Sequence, residues 1–297
     1  MPKLELGYIG LGRMGLPMVK TLSKDISITA YDIDIKKCRI PLDLKINIAN
    51  SIIDLARALS SPRIIWIMVP MGNIVDEVIQ TLIPELQEGD LLVDGGNANY
   101  LDSIRRRDEL SKKKIGFAGA GTSGGTAGAL SGPPITIDCT LKDYKKILPI
   151  LQLLGGNIAF FEEKGKGHLA KTLHNAIEYG MMQSLAEGIT LYVEYGFTED
   201  EIRKAFKTWS SGSIIESRLV SCLNEVMEKY SILDNQKIKK SETLGIVKNV
   251  LKSDCYTPIL KKSVNLRENT EELDPVTHTI LARLREFFGG HFLRNKK

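Results

Sequence analysis

Six residues near the start of the chain, Gly10-Leu11-Gly12-Arg13-Met14-Gly15, restrict its fold more than any other stretch. They begin at the end of a strand candidate, Leu4–Gly10, and open a segment of helical periodicity that reaches Leu22. Between a strand and a helix, G-x-G-x-x-G allows a tight turn at the first glycine, phosphate approach at the second and close packing at the third. The helix N-terminus then turns N–H groups and positive dipole towards a pyrophosphate. A second apolar run ends at Asp32, 17 residues beyond Gly15. An acid there accepts hydrogen bonds from both ribose hydroxyls and repels a 2′-phosphate, so it points to NAD over NADP. Lys36, Lys37 and Arg39 lie just downstream and pull weakly the other way.

The rest of the first half repeats this alternation. Arg63–Val69, Leu91–Gly96 and Ile115–Gly121 read as further strands, and Ser51–Leu59 and Ile74–Leu82 as helices. Continuous Val/Ile/Leu runs, without polar alternation, suit a parallel sheet covered on both faces. The character then changes. Gly167–Tyr195 is free of proline and helical in pattern, and Glu199–Trp209, Ile214–Lys229, Lys239–Lys252 and Val276–Phe288 follow as helices. The expected architecture is α/β: a Rossmann-type, doubly wound parallel sheet over residues 1–163, then an all-α domain over 164–297.

Composition removes several classes of function. Forty basic and 36 acidic residues leave a net charge of +4, scattered along the chain, which gives no footprint for nucleic acid. Four distant cysteines and four histidines show no metal-ligand spacing, so no metal is expected. The longest apolar run, Ile64–Pro70, is too short to span a bilayer, and the N-terminus shows no signal-peptide pattern. These features lead to the expectation of a cytoplasmic protein without membrane or nucleic-acid partners.

Three later stretches carry chemistry. VDGGN ends at Asn97. Ser123-Gly124-Gly125 can present a hydroxyl and backbone N–H groups to an anion. On the long helix, Lys171, His174, Asn175 and Glu178 fall one turn apart on one side, with Tyr179 beside them. A free lysine, with a pKa of about 10.4, is a poor base at neutral pH, but burial beside a positive nicotinamide lowers it. Lys171 and Glu178 lie about 10.5 Å apart along the helix axis, so they can address opposite faces of a small substrate.

Together, VDGGN, SGG 26 residues after Asn97, and GHLAKTLHNAIEYGMMQ resemble the 6-phosphogluconate dehydrogenase family within the β-hydroxyacid dehydrogenases. The resemblance covers nearly the whole chain in the short form of that family. The tail REFFGGH, with Arg285 and His291, matches the family's R-x-x-F-G-x-H ending. The resemblance implies oxidative decarboxylation of 6-phosphogluconate to ribulose 5-phosphate and CO₂, with NAD reduced. It implies Lys171 as general base and Glu178 as the acid that protonates C1 of the enediol product. Asn97, Ser123, Gly124, Gly125, His174 and Asn175 would hold the carboxylate and hydroxyls. Tyr179, Arg285 and His291 would lie towards the phosphate. Val69, Pro70 and Asn97 join Gly10–Gly15 and Asp32 in the implied cofactor set. A homodimer or homotetramer is implied, with the C-terminal tail reaching a neighbouring subunit's site.

The chain departs from the family at two places. SIIESRL puts Glu216 where an arginine is expected on the phosphate, and Leu244 stands near a place expected to be basic. A carboxylate at the phosphate would repel it. This motivates a second enzymatic reading, a dehydrogenase of a related aldonate or 3-hydroxy acid without phosphate. A dinucleotide-binding regulator needs neither Lys171 nor Glu178.

Overall fold

The computed structural model describes residues 4–36, 38, 40–238 and 241–289, and side chains up to residue 287. Two compact units divide inside one long helix, at residues 1–171 and 172–297.

The first unit is built on β1 (Glu5–Ile9), β2 (Ser27–Tyr31), β3 (Asn47–Ile48), β4 (Ile64–Ile67), β5 (Leu91–Asp94), β6 (Gly116–Thr122), β7 (Ile135–Asp138) and β8 (Ile158–Phe161). These form one sheet in the order β3-β2-β1-β4-β5-β6-β7-β8. The doubly wound fold expected from the sequence is present, with β2 and β4 on either side of β1. One pair departs from the all-parallel expectation: β7 runs antiparallel to β6. The short α5 (Gly125–Ser131) returns the chain on the same side, so no crossover to a parallel neighbour is made. Helices α1 (Gly15–Leu22), α2 (Ile52–Arg57), α3 (Asn73–Leu82), α4 (Tyr100–Ser111) and α6 (Leu141–Leu154) complete the unit. Two apolar clusters line the sheet, one around Leu6, Tyr8, Trp66 and Val93, the other around Ile9, Ile65, Ile67 and Phe117. The strands IIWI and LLVD are buried at every position, which explains their unbroken apolar runs.

Helix α7 (Lys166–Glu194) runs unbroken for 29 residues, as the proline-free pattern requires. Its start is packed onto the sheet of the first unit. A Cβ on Gly167 would meet the carbonyl oxygen of Gly119, with Asp138 N and Thr136 O each at 2.8 Å. Asp138 accepts hydrogen bonds from Gly165 N at 3.1 Å and Gly167 N at 3.0 Å, a carboxylate placed at the helix N-terminus. Burial pushes its carboxyl above the usual range despite these donors.

The second unit contains the rest of α7 with α8 (Glu199–Trp209), α9 (Arg218–Lys229), α10 (Leu244–Val250), α11 (Pro258–Glu268) and α12 (Pro275–Gly289). Ala176, Tyr179, Met182, Ala186 and Ile189 of α7 recur at helical spacing and face its core. Helix α9 starts four residues later than its apolar pattern suggests, because the Ser217 hydroxyl accepts from Val220 N and caps it there. Helix α10 is shorter than expected. Helix α11 was not legible, because its buried residues are Ser263, Val264, Leu266 and Arg267, and two of these four are polar. Among the described residues, no helix is long and apolar enough to cross a membrane.

The seating of α7 on backbone atoms makes a testable demand. Gly167→Ala should destabilise the protein by about 1–3 kcal/mol through overpacking. The readout is a Tm lowered by several degrees, and an unchanged Tm would mean the seat yields freely.

Candidate active site

The glycine turn after β1 forms as the sequence requires. Gly10 has φ +98°, and a Cβ there would strike the Met68 carbonyl oxygen, with Val69 Cγ1 3.3 Å away. A Cβ on Gly15 would meet the Gly10 carbonyl oxygen, so α1 can lie close to β1 only with glycine there. Gly12 faces open space, the cradle a phosphate needs. A cavity of about 780 Å³ beside this turn is lined by Leu11, Gly12, Arg13, Asp32, Asp34 and Thr126, among others. Asp32 is held in place by two backbone donors, Leu11 N at 2.7 Å and Asp34 N at 2.8 Å. The described groups therefore fit a dinucleotide. Asp34, which the sequence reading did not single out, brings a second carboxylate to the cavity beside Asp32. Burial, reinforced by these two acids, pushes the Cys38 thiol up to about 11, so it stays protonated. Met14 packs into the core beside the turn, while Val69 borders Gly10 and Pro70 is exposed. Lys37 and Arg39 lie outside the described residues.

Within the first unit three expected substrate elements converge. A Cβ on Gly121 would strike the Cβ of Lys171, so Lys171 leaves α7 directly against the end of β6. The next residue, Thr122, donates from Oγ1 to the Gly95 carbonyl oxygen at 3.2 Å, which brings the Asn97 segment alongside. Ser123 follows, its N–H bonded to the Pro134 carbonyl at 2.9 Å, so the Ser123 amide is already taken by the protein. Gly124 has φ +95°, a left-handed conformation that a side chain would strain. Asn97 itself is exposed. The segments that carry Asn97 and Ser123 and the start of the Lys171 side chain therefore lie near the ends of β5 and β6.

The second unit carries the remaining polar residues of α7. His174 Nδ1 lies 3.7 Å from Glu178 Oε2 and 3.3 Å from Asn175 Oδ1. The Glu178 side chain is 22% exposed and that of His174 is 52% exposed. Tyr179 is buried, and its hydroxyl lies 2.7 Å from Thr243 Oγ1, which in turn lies 2.9 Å from Ser241 Oγ.

Arg267 of α11 is a residue that sequence reasoning missed. It is 5% exposed and stacks its guanidinium over the Tyr179 ring, 4.3 Å from the centroid. Its Nη2 reaches Met182 Sδ at 3.3 Å, and its Nε has no hydrogen-bond partner among the described residues. Burial pulls its pKa down to about 10; the fields of Tyr179 and Glu178 oppose this, and that of Arg285 adds to it. It therefore remains a cation at neutral pH, short of hydrogen-bond acceptors and within electrostatic reach of Arg285. The available signal was a charge on the apolar stripe of α11, at i+7 from Leu260.

The two departures have local explanations. Glu216 is exposed and accepts from Gly212 N at 2.6 Å, closing the loop before α9. Leu244 is a core residue, packed with Tyr179, Val247 and Val264. His291 lies outside the described residues.

The model of the NAD-binding domain of 6-phosphogluconate dehydrogenase matches residues 5–161, and that of its C-terminal domain matches 167–270. A nicotinamide-cofactor domain is therefore present. An NAD-dependent, decarboxylating 6-phosphogluconate dehydrogenase of Haloferax volcanii is 30% identical, over 99% of both chains. Among solved structures, a Plasmodium falciparum 6-phosphogluconate dehydrogenase superposes with a TM-score of 0.79 at 21% identity, covering 99% of this chain and 67% of that one. A Mycobacterium tuberculosis 3-hydroxyisobutyrate dehydrogenase reaches 0.72 at 16% identity, over 96% of this chain and 99% of that one. These two likenesses establish the fold, while the family models and the full-length relative carry the assignment. The chain belongs to the 6-phosphogluconate dehydrogenase family.

Proposed function

We propose that this protein oxidatively decarboxylates 6-phosphogluconate with NAD as the oxidant. The observation that carries the reading is that one unbroken helix presents Lys171 and Glu178 two turns apart on one face. Lys171 takes the proton from the C3 hydroxyl, and bound NAD supplies the hydride acceptor. The resulting β-keto acid loses CO₂ while the Lys171 ammonium polarises the keto oxygen. Glu178 then delivers a proton to C1 of the enediol product, the carbon that lost CO₂. The half-exposed His174 ring beside it offers a route by which Glu178 is reloaded from solvent. Asn97 and the Ser123 hydroxyl orient the carboxylate and hydroxyls. Asp32 and Asp34, both on the cofactor cavity, disfavour a 2′-phosphate and support NAD.

For the distal end, Arg267 supports a phosphorylated substrate. A buried guanidinium with an unused Nε is costly to keep, and a phosphate is the partner its geometry suits. The second reading, an unphosphorylated acid, loses its motive once Glu216 is seen to bond its own loop.

Four measurements test this reading. Wild-type protein should form NADH and CO₂ in equal amounts from 6-phosphogluconate, with NADP a poor substitute. Lys171→Ala should lose about a thousandfold or more of that rate. NADH without CO₂, or near-normal turnover by the variant, would refute the mechanism. Arg267→Met should raise KM for 6-phosphogluconate by about 10- to 150-fold, the loss of one charged hydrogen-bonding partner. It should leave the weaker turnover of gluconate unchanged, and an equal effect on both would remove the phosphate role. Finally, Ile177, Met181, Leu191 and Tyr195 form an exposed apolar stripe along the α7 helix path, which supports pairing of two copies there. Sedimentation should show a dimer that Leu191→Glu weakens, and a monomeric wild type would exclude it.

A further inference from the structure

One buried ring clamps the segment that carries Asn97. His168 is 1% exposed; its Nε2 lies 3.2 Å from the Gly96 carbonyl oxygen and its Nδ1 2.7 Å from Ser103 Oγ. A carbonyl oxygen only accepts, so Nε2 carries the proton of that bond. In the singly protonated ring, Nδ1 then accepts from the Ser103 hydroxyl. Gly96 directly precedes Asn97, and Ser103 stands in the first turn of α4. The ring therefore holds the segment 96–103 at both ends. Gly119 makes room for it, since a Cβ there would stand 2.9 Å from Nδ1. The same segment is tied to its own strand by Arg106, whose Nη1 lies 3.1 Å from Asp94 Oδ2, while Asp94 Oδ1 accepts from Gly96 N at 3.4 Å. His168, by contrast, ties it to α7. Lys171 follows three residues later, about 4.5 Å along the helix axis.

We propose that His168 is a positioning residue for the oxidation step. It sets the spacing between the Asn97 segment and the helical turn that carries Lys171. It thereby fixes how a substrate held at Asn97 meets the Lys171 amine. The proposal rests on the reading of Lys171 as base and adds a residue that touches neither substrate nor cofactor. Misplacing a reacting group by about 1 Å costs on the order of a hundredfold in rate, so a clamp at this point has leverage.

The test compares wild type, His168→Leu, His168→Gln, Ser103→Ala and Lys171→Ala. The readouts are kcat, KM for the sugar acid, NAD affinity by fluorescence titration, and the primary isotope effect with substrate deuterated at C3. His168→Leu should lower kcat by about ten- to a hundredfold with NAD affinity unchanged, and should raise the isotope effect as hydride transfer becomes limiting. His168→Gln, whose amide N–H can reach the Gly96 carbonyl, should recover most of the rate. Ser103→Ala should fall between them. Wild-type kcat and isotope effect in His168→Leu and Ser103→Ala would overturn the proposal. So would loss of turnover and NAD affinity together with no recovery by glutamine, the pattern of general structural damage. If the leucine variant does not fold, Ser103→Ala decides: an unchanged kcat and isotope effect overturns the clamp. Substantial turnover by Lys171→Ala would instead refute the base itself, an outcome distinct from failure of the clamp.

Discussion

The site depends on how the first turns of α7 are seated against the sheet. Gly167 lies on the backbone of β6 and β7, Gly121 lies under the Lys171 Cβ, and Asp138 accepts from the two amides at the helix start. Contacts this close leave no freedom to slide, because the atoms concerned are backbone and cannot change rotamer. A side chain leaving the next turn therefore starts from a defined place. The antiparallel β7 contributes Asp138 and Thr136 to this seat, which gives a reason for the one irregular strand pairing.

A second constraint is electrostatic. Burying a guanidinium is expensive unless acceptors surround it, and Arg267 has a ring face, a thioether and an unused Nε. A packed core would gain from an apolar residue at that position. The proposed function accounts for Arg267 by a ligand that brings negative charge, and the hydroxyls of Tyr179, Thr243 and Ser241 lie in one chain nearby. In the proposed function the carboxylates that line the cofactor cavity act in the opposite sense, disfavouring an extra phosphate.

Much of this was legible in the residues. The glycine turn, Asp32 and the buried strands could be read because each depends on neighbours a few positions away. So could the polar face of α7, since a regular helix converts sequence spacing directly into geometry. Helix α11 and Arg267 were hidden, because a serine and an arginine on the stripe erase the apolar period. The departure at Glu216 looked like a reversed phosphate contact. In the structure, that carboxylate bonds an amide four residues earlier, which spacing alone did not suggest.

The sequence by itself determined the class of fold, the cofactor turn and the chemical types on one helix face, because local period and backbone sterics set these. Only the tertiary structure decided which distant groups meet. Gly121 beneath Lys171, His168 between Gly96 and Ser103, and Arg267 over Tyr179 join residues separated by 50 to 88 positions. Contacts of that range are made by packing, and no periodicity along the chain records them.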